Sequence, residues 1–199
     1  MQYYSQFGED KWIDGHLVLP TEGVYADIGC AHPVMNSNTA FLRERGWVGV
    51  HVDGDPHWTM EWKSRGLEML NAPVGLGKDA YYRCDPNHEA SRLAGPGDEL
   101  QSAAIQRVVN LEYVLGLNPL TAAEIDFLSL DVEGNEMAVL SSMDFRKHLP
   151  KVIVLEYNTF NTLRFDAVNF VRCQTDYDVV LVTECNYVFA HASVGRKVF

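Results

Sequence analysis

Basic residues are scarce in this chain: 16 Lys and Arg stand against 27 Asp and Glu, a formal net charge of −11. The cations are scattered along the chain. Nucleic-acid phosphates require clustered Lys and Arg, so a nucleic-acid partner is not expected. Such an acidic surface suits a small neutral or cationic ligand better than a polyanion. Apolar runs of membrane-spanning length are also missing. The N-terminus, MQYYSQFGED, has neither the basic end nor the apolar stretch of a signal peptide, which points to a cytoplasmic chain. The four cysteines, Cys30, Cys84, Cys173 and Cys185, form no CxxC or zinc-type spacing. Cys30 and Cys173 are expected to be buried free thiols in a reducing compartment.

What is present is an alternation of short apolar runs and helical patterns over 199 residues, enough for one domain with a sizeable core spanning 1–199, standing alone or cut from a larger protein. A helix is expected from Gly8 to about Val18, a strand over Gly23–Ile28, and a helix from the Ser37-Asn38-Thr39 cap to Arg45, stopped by Gly46. A strand over Trp47–Val52, a helix over His57–Arg65 and a short strand at Glu68–Leu70 complete a β-α-β-α-β half. Residues 83–99, rich in proline, glycine and charge, are expected to be a mobile loop. A strand and short helix are expected within Gln106–Leu115, then a strand over Ile125–Leu130 and a helix from Glu136 to about Met143. Lys151–Glu156 follows as a buried strand and Asp166–Thr175 as a helix. An antiparallel pair, Val179–Thr183 and Tyr187–Ala190, closes the chain, with Lys197–Phe199 expected to extend it.

The chemistry gathers at strand ends. The first strand runs into Asp27-Ile28-Gly29-Cys30-Ala31-His32, the second ends at Asp53, and two later ones end at Asp131 and Glu156. In a parallel sheet these ends share one edge, so acids distant in sequence converge there. A glycine after the first strand lets backbone approach a ligand closely, and an acid ending the second can accept both hydroxyls of a ribose. The dinucleotide fingerprint G-x-G-x-x-G is nevertheless absent, because Gly29 is followed by Cys30, Ala31, His32 and Pro33. An adenosine ligand without phosphates fits better, S-adenosylmethionine foremost.

SQFGED, YADIGCAHP, SNT, GWVGVHVD, IDFLSLDVEGNE and VIVLEYN together resemble the FkbM family of S-adenosylmethionine-dependent methyltransferases, from Ser5 to about Asn158. The resemblance implies an α/β, Rossmann-like class I methyltransferase fold: a seven-stranded, mostly parallel sheet with an antiparallel last strand and helices on both faces. It also implies O-methylation, with sugars, glycolipids or polyketide-type compounds as acceptors. Carried over by position, Asp27 and Gly29 match the contact with the methionine end of the cofactor, and Asp53 stands where the family usually has glutamate. Asn71 and Ala72 match the adenine-side turn. Ser5, Gln6 and Asp10 match the segment covering the cofactor, Asn38 the SNT position, and Asp131 and Glu133 the acceptor side.

Methyl transfer to a hydroxyl requires alignment and removal of the hydroxyl proton, for which Asp131, Glu133 and His32 are the candidate bases. Asp131 is also a candidate partner for the cofactor's methionine end. Asp131, Glu156 and Asn158 could instead offer oxygen ligands to Mg²⁺ or Mn²⁺. Tyr3, Tyr4, Trp58, Trp62, Tyr81 and Tyr82 could supply a stacking wall for a sugar or the adenine, but aromatics at such positions are more often packing residues and are taken as such. The leading expectation is a sugar O-methyltransferase with a small-molecule or glycan acceptor. Its rivals are a cofactor-binding module without catalysis, a methyltransferase of a polyketide-type molecule, and a nucleotide-sugar or nicotinamide enzyme. The sequence leaves the acceptor and the oligomeric state open.

Overall fold

The computed structural model describes residues 1–75, 81–83, 92–93, 106–116, 124–157, 164–174 and 176–198. Seven strands form the main sheet: β1 (Val24–Ile28), β2 (Val48–Asp53), β3 (Leu70–Asn71), β4 (Phe127–Leu130), β5 (Val152–Glu156), β6 (Tyr177–Val182) and β7 (Asn186–His191). Their order across the sheet is β6-β7-β5-β4-β1-β2-β3. Only β7 runs antiparallel to its neighbours; the pairings among β3, β2, β1, β4 and β5 are all parallel. The chain steps outward from β1 to β3, then crosses back to β4 on the other side of β1. Open α/β sheets bind ligands at such a reversal, outside the carboxyl ends of the strands.

Helices cover both faces. On one side lie α1 (Glu9–His16), α2 (Ala40–Glu44) and α3 (His57–Ser64); on the other lie α4 (Leu111–Gly116), α5 (Glu136–Ser141) and α6 (Arg164–Arg172). Strand alternation sends Tyr25, Phe127, Val152, Val154 and Val188 against Ile13, Phe41 and Leu42. It sends Ala26, Ile28, Leu128, Leu130, Ile153, Leu155 and Phe189 against Val114, Leu140 and Val171. Burial on both faces explains why β1, β4 and β5 appear in the sequence as nearly unbroken apolar runs. Among the described residues, no helix is long and apolar enough to cross a membrane.

Four expectations are corrected. The first helix ends at His16, because Leu17–Val18 pairs antiparallel with Gly195–Arg196 in a small ladder of its own. Lys197 continues that ladder, its N–H donating to the His16 carbonyl at 2.8 Å, and so does not extend the β6–β7 pair; Phe199 lies outside the described residues. Cys173 is exposed, not buried: the α6 phase turns Ala167, Val168 and Val171 inward and leaves Asn169, Arg172 and Cys173 on the water side. Within 83–99, Arg83 ends the strand Tyr81–Arg83, which pairs with Arg92–Leu93 and, on its other side, with Gln106–Arg107. The rest of that stretch lies outside the described residues.

Candidate active site

Alternation along β1 places Asp27 on the α2 face, where it is 3% exposed. The Thr39 hydroxyl donates to it at 2.5 Å, and Ser129, its register partner on β4, is a second donor. Ser37 Oγ accepts the Ala40 N–H at 3.0 Å and so starts α2. Beyond β1, Gly29 has φ +80°, and a Cβ there would lie 1.5 Å from the Asp131 carbonyl oxygen. Only glycine lets the two strand ends meet. The Gly29 and Cys30 N–H groups both donate to the Val52 carbonyl at 2.8 and 3.1 Å, and the Ala31 N–H donates to Asp53 at 2.9 Å. Amides turned into the sheet in this way cannot cradle a phosphate, which supports the reading drawn from the missing glycine fingerprint.

Asp131 follows β4, its N–H donating to the Ile28 carbonyl at 2.9 Å. Its carboxyl lies beside that of Glu156 at the end of β5, close enough for each to shift the other's ionisation. Two adjacent carboxyls cannot both ionise cheaply, so each is driven toward its neutral form. Burial and the Glu156 charge push the Asp131 carboxyl well above the usual range, and burial pushes Glu156 up to about 7. Glu133 sits in the following turn at φ +54° and is exposed, its carboxyl raised by desolvation and by Glu136 and Asp53. Glu136 accepts the Val132 and Gly134 N–H groups at 3.2 and 2.9 Å and so holds that turn closed.

These ends open into a cleft of about 230 Å³ whose wall includes Gln6, Asp27, Gly29, His32, Asn38 and Asp131. Six sequence-predicted residues are thereby brought together. The others stand around them. Asp10 is buried and accepts the Ser5 hydroxyl at 2.6 Å, the Lys11 N–H at 2.7 Å, and the Ser5 and Tyr4 N–H groups. It thus ties the turn that delivers Gln6 to the cleft. Ser5 bridges to the backbone of Asn36. Asn71 and Ala72 both donate to the Asp53 carbonyl, at 3.0 and 2.9 Å, joining β2 and β3 beside the cleft.

His32 lines the cleft, but its Nδ1 accepts the Val34 and Met35 N–H groups at 3.1 and 2.9 Å. That fixes the proton on Nε2, which lies 3.8 Å from Glu61, so the neutral ring has no lone pair left for a hydroxyl proton. Burial also pushes its pKa down. Of the three oxygen ligands considered for a divalent ion, Asp131 and Glu156 meet, while Asn158 lies outside the described residues. Among the described residues no group of three His, Cys, Asp or Glu side chains is arranged to hold a metal ion.

Sequence reasoning missed several wall residues. Ser129 sits inside an apolar run, and Asn186 comes from the distant start of β7. Trp58 lines the wall with its ring perpendicular to His32, at 6.1 Å between centroids. Glu9 is fully buried and accepts Thr183 Oγ1 and Asn186 Nδ2, both at 2.8 Å, pinning α1 to the β6–β7 hairpin. The acid inside SQFGED was a visible signal for Glu9. Asn186 carried none.

The site's acids set a pH dependence. Burial raises Asp27 and Asp53 to about 6 each and Glu156 to about 7, so the folded protein binds protons that the unfolded chain releases. Their stabilisation is complete below about pH 4 and is lost as pH rises through 6 to 7. His51, lowered to about 4 by burial, and His32 act oppositely across the same window, but the raised acids outnumber them. The urea midpoint of the ligand-free protein is expected to be higher at pH 5 than at pH 8. A midpoint rising steadily from pH 5 to pH 8 would contradict the burial of these acids.

A family model described as the methyltransferase FkbM domain matches residues 27–189. Among solved structures, a TehB-like SAM-dependent methyltransferase from Corynebacterium glutamicum ATCC 13032 Kitasato is similar at a TM-score of 0.49 and 12% identity. That similarity covers 94% of this chain and 89% of the other. No curated protein matches the chain.

Proposed function

The chain belongs to the FkbM family of methyltransferases, and we propose that it methylates a hydroxyl of a sugar-containing acceptor with S-adenosylmethionine as donor. The observation that carries this reading is the meeting of Asp131 with Asp27 and Gly29 in one cleft. The wall fits the donor chemically. It has two carboxylates and no Lys or Arg among its described residues, which suits a ligand bearing ammonium and sulfonium charges. Asn38 Oδ1 is buried there without a hydrogen-bond partner, an acceptor left for a ligand's donor. Asp27, Gln6 and Asn38 would hold the methionine end. When bound, the donor supplies a methyl carbon on a cationic sulfur. In its ionised form Asp131 would take the acceptor's hydroxyl proton, with Glu156 beside it. Support for a polyhydroxylated acceptor comes from the amides of Gln6, Asn36, Asn38 and Asn186, which both donate and accept, beside the Trp58 ring.

Calorimetry with S-adenosylhomocysteine and a mass-spectrometric methyl-transfer screen over glycosides test the proposal together. Binding with a 14-dalton mass gain (one CH₂, by the general stoichiometry of methyl transfer) on a glycoside is the expected outcome. Binding with no methyl release to any acceptor would favour a non-catalytic module, and nicotinamide-dinucleotide binding in its place would sink the assignment. Because no third His, Cys, Asp or Glu side chain among the described residues joins Asp131 and Glu156 to hold a metal ion, dialysis against EDTA is expected to leave turnover within about twofold. A chelation loss restored by Mg²⁺ or Mn²⁺ would put a metal between the two acids instead.

A further inference from the structure

The cleft wall between Gly29 and Asn38 contains two non-glycine residues at positive φ, Ala31 at +41° and Asn36 at +58°. Backbone in that region persists only when its surroundings hold it there. For Ala31 the holding groups are visible. Its N–H donates to Asp53 at 2.9 Å, and its carbonyl accepts the indole N–H of Trp62 at 2.7 Å. Two residues on, the Pro33 carbonyl accepts a guanidinium N–H of Arg43.

Trp62 and Arg43 lie behind the wall and do not line the cleft. They also support one another: the guanidinium stands over the indole at 5.3 Å. The indole packs on His51 at 4.1 Å between ring centroids. His51 is fixed at both ring nitrogens, by the Tyr25 hydroxyl at 2.7 Å and the Glu68 carbonyl at 3.1 Å. Trp62 is 0% exposed, and no water can replace its N–H on the Ala31 carbonyl without opening α3.

We propose that Trp62 and Arg43 are positioning residues for the methyl donor: by gripping the Ala31 and Pro33 carbonyls from behind, they hold the 29–38 wall in the shape that receives it. The inference rests on the donor assignment made above. Neither side chain touches the reacting groups, so their loss acts on donor affinity and leaves the chemical step alone.

Trp62→Phe keeps most of the buried ring and removes only the N–H donor. The dissociation constant for S-adenosylhomocysteine is expected to rise about tenfold, as for one buried hydrogen bond lost from a preorganised site. Turnover at saturating donor should stay within about twofold. Amide hydrogen exchange across residues 29–38 should accelerate in the free variant. A purely structural role would lower the urea midpoint and leave both the dissociation constant and local exchange unchanged well below it; that result overturns the inference. If Trp62→Phe fails to fold, Arg43→Gln reads out the Pro33 contact by the same measurements, with the same two outcomes. Failure of the wild-type protein to bind S-adenosylhomocysteine would count against the donor assignment. Equal binding by wild type and variant would count against this inference alone.

Discussion

Gly29→Ala is expected to be the most damaging single substitution in the chain. A methyl group at this position would sit 1.5 Å from the Asp131 carbonyl oxygen, inside any permitted contact, and the obstacle is backbone, not a side chain that can swing away. The φ of +80° adds the left-handed penalty. Relief requires β1 and β4 to part at the reversal of strand order, which breaks the Asp131-to-Ile28 hydrogen bond. Loss of about 4 kcal/mol or more is expected, the exceptional end of point-mutant effects. Gly8 is the control: its φ is +81°, but no heavy atom lies within 4 Å of an added Cβ. Gly8→Ala is therefore expected to cost only the conformational term, about 1–2 kcal/mol. Urea unfolding of both variants checks the contrast. Equal midpoints would mean that the close approach at Gly29 does not exist.

Asp131→Asn is expected to reduce methyl transfer by about 10²–10⁴-fold, the usual contribution of a positioned base. S-adenosylhomocysteine affinity should change little, since the substitution keeps the side chain's shape and Asp27 still faces the cleft. Full activity in this variant would remove Asp131 from the chemistry and direct attention to Glu133, which stands exposed in the adjoining turn. Glu156→Gln separates the pair's two members. A glutamine amide can donate to an ionised Asp131 and brings no competing charge. The Asp131 carboxyl should then ionise more easily, and the acid limb of the pH–rate profile should move to lower pH with the maximal rate largely kept. An unmoved acid limb would show that the Glu156 carboxyl does not govern the base.

The acids on the cleft wall and just behind it could be found from the sequence because each lies at the end of an apolar run, and a parallel sheet aligns such ends. Asp27, Asp53, Asp131 and Glu156 required only strand boundaries to be placed together. Their jobs were less legible. Asp10 looked like a cofactor contact and holds its own turn. His32 looked like a base and spends its lone pair on the loop that carries it. Both facts depend on backbone N–H directions, which no pattern of side chains encodes.

The sequence by itself determined the strand order's raw material, the chain's acidic character, and the glycine and carboxylates at the strand ends. These follow from local periodicity and residue chemistry. Only the tertiary structure decided that the Asp131 and Glu156 carboxyls meet, that Asn186 and Ser129 join the wall, and that the Gly29 and Cys30 amides face the sheet. It also decided that Trp62 and Arg43 grip the wall from behind. Each of these is a contact between segments far apart in the chain. Its existence depends on the pairing of β1 with β4 and on where β7 and α3 come to rest, and that is a property of the packed fold, which short-range pattern does not contain.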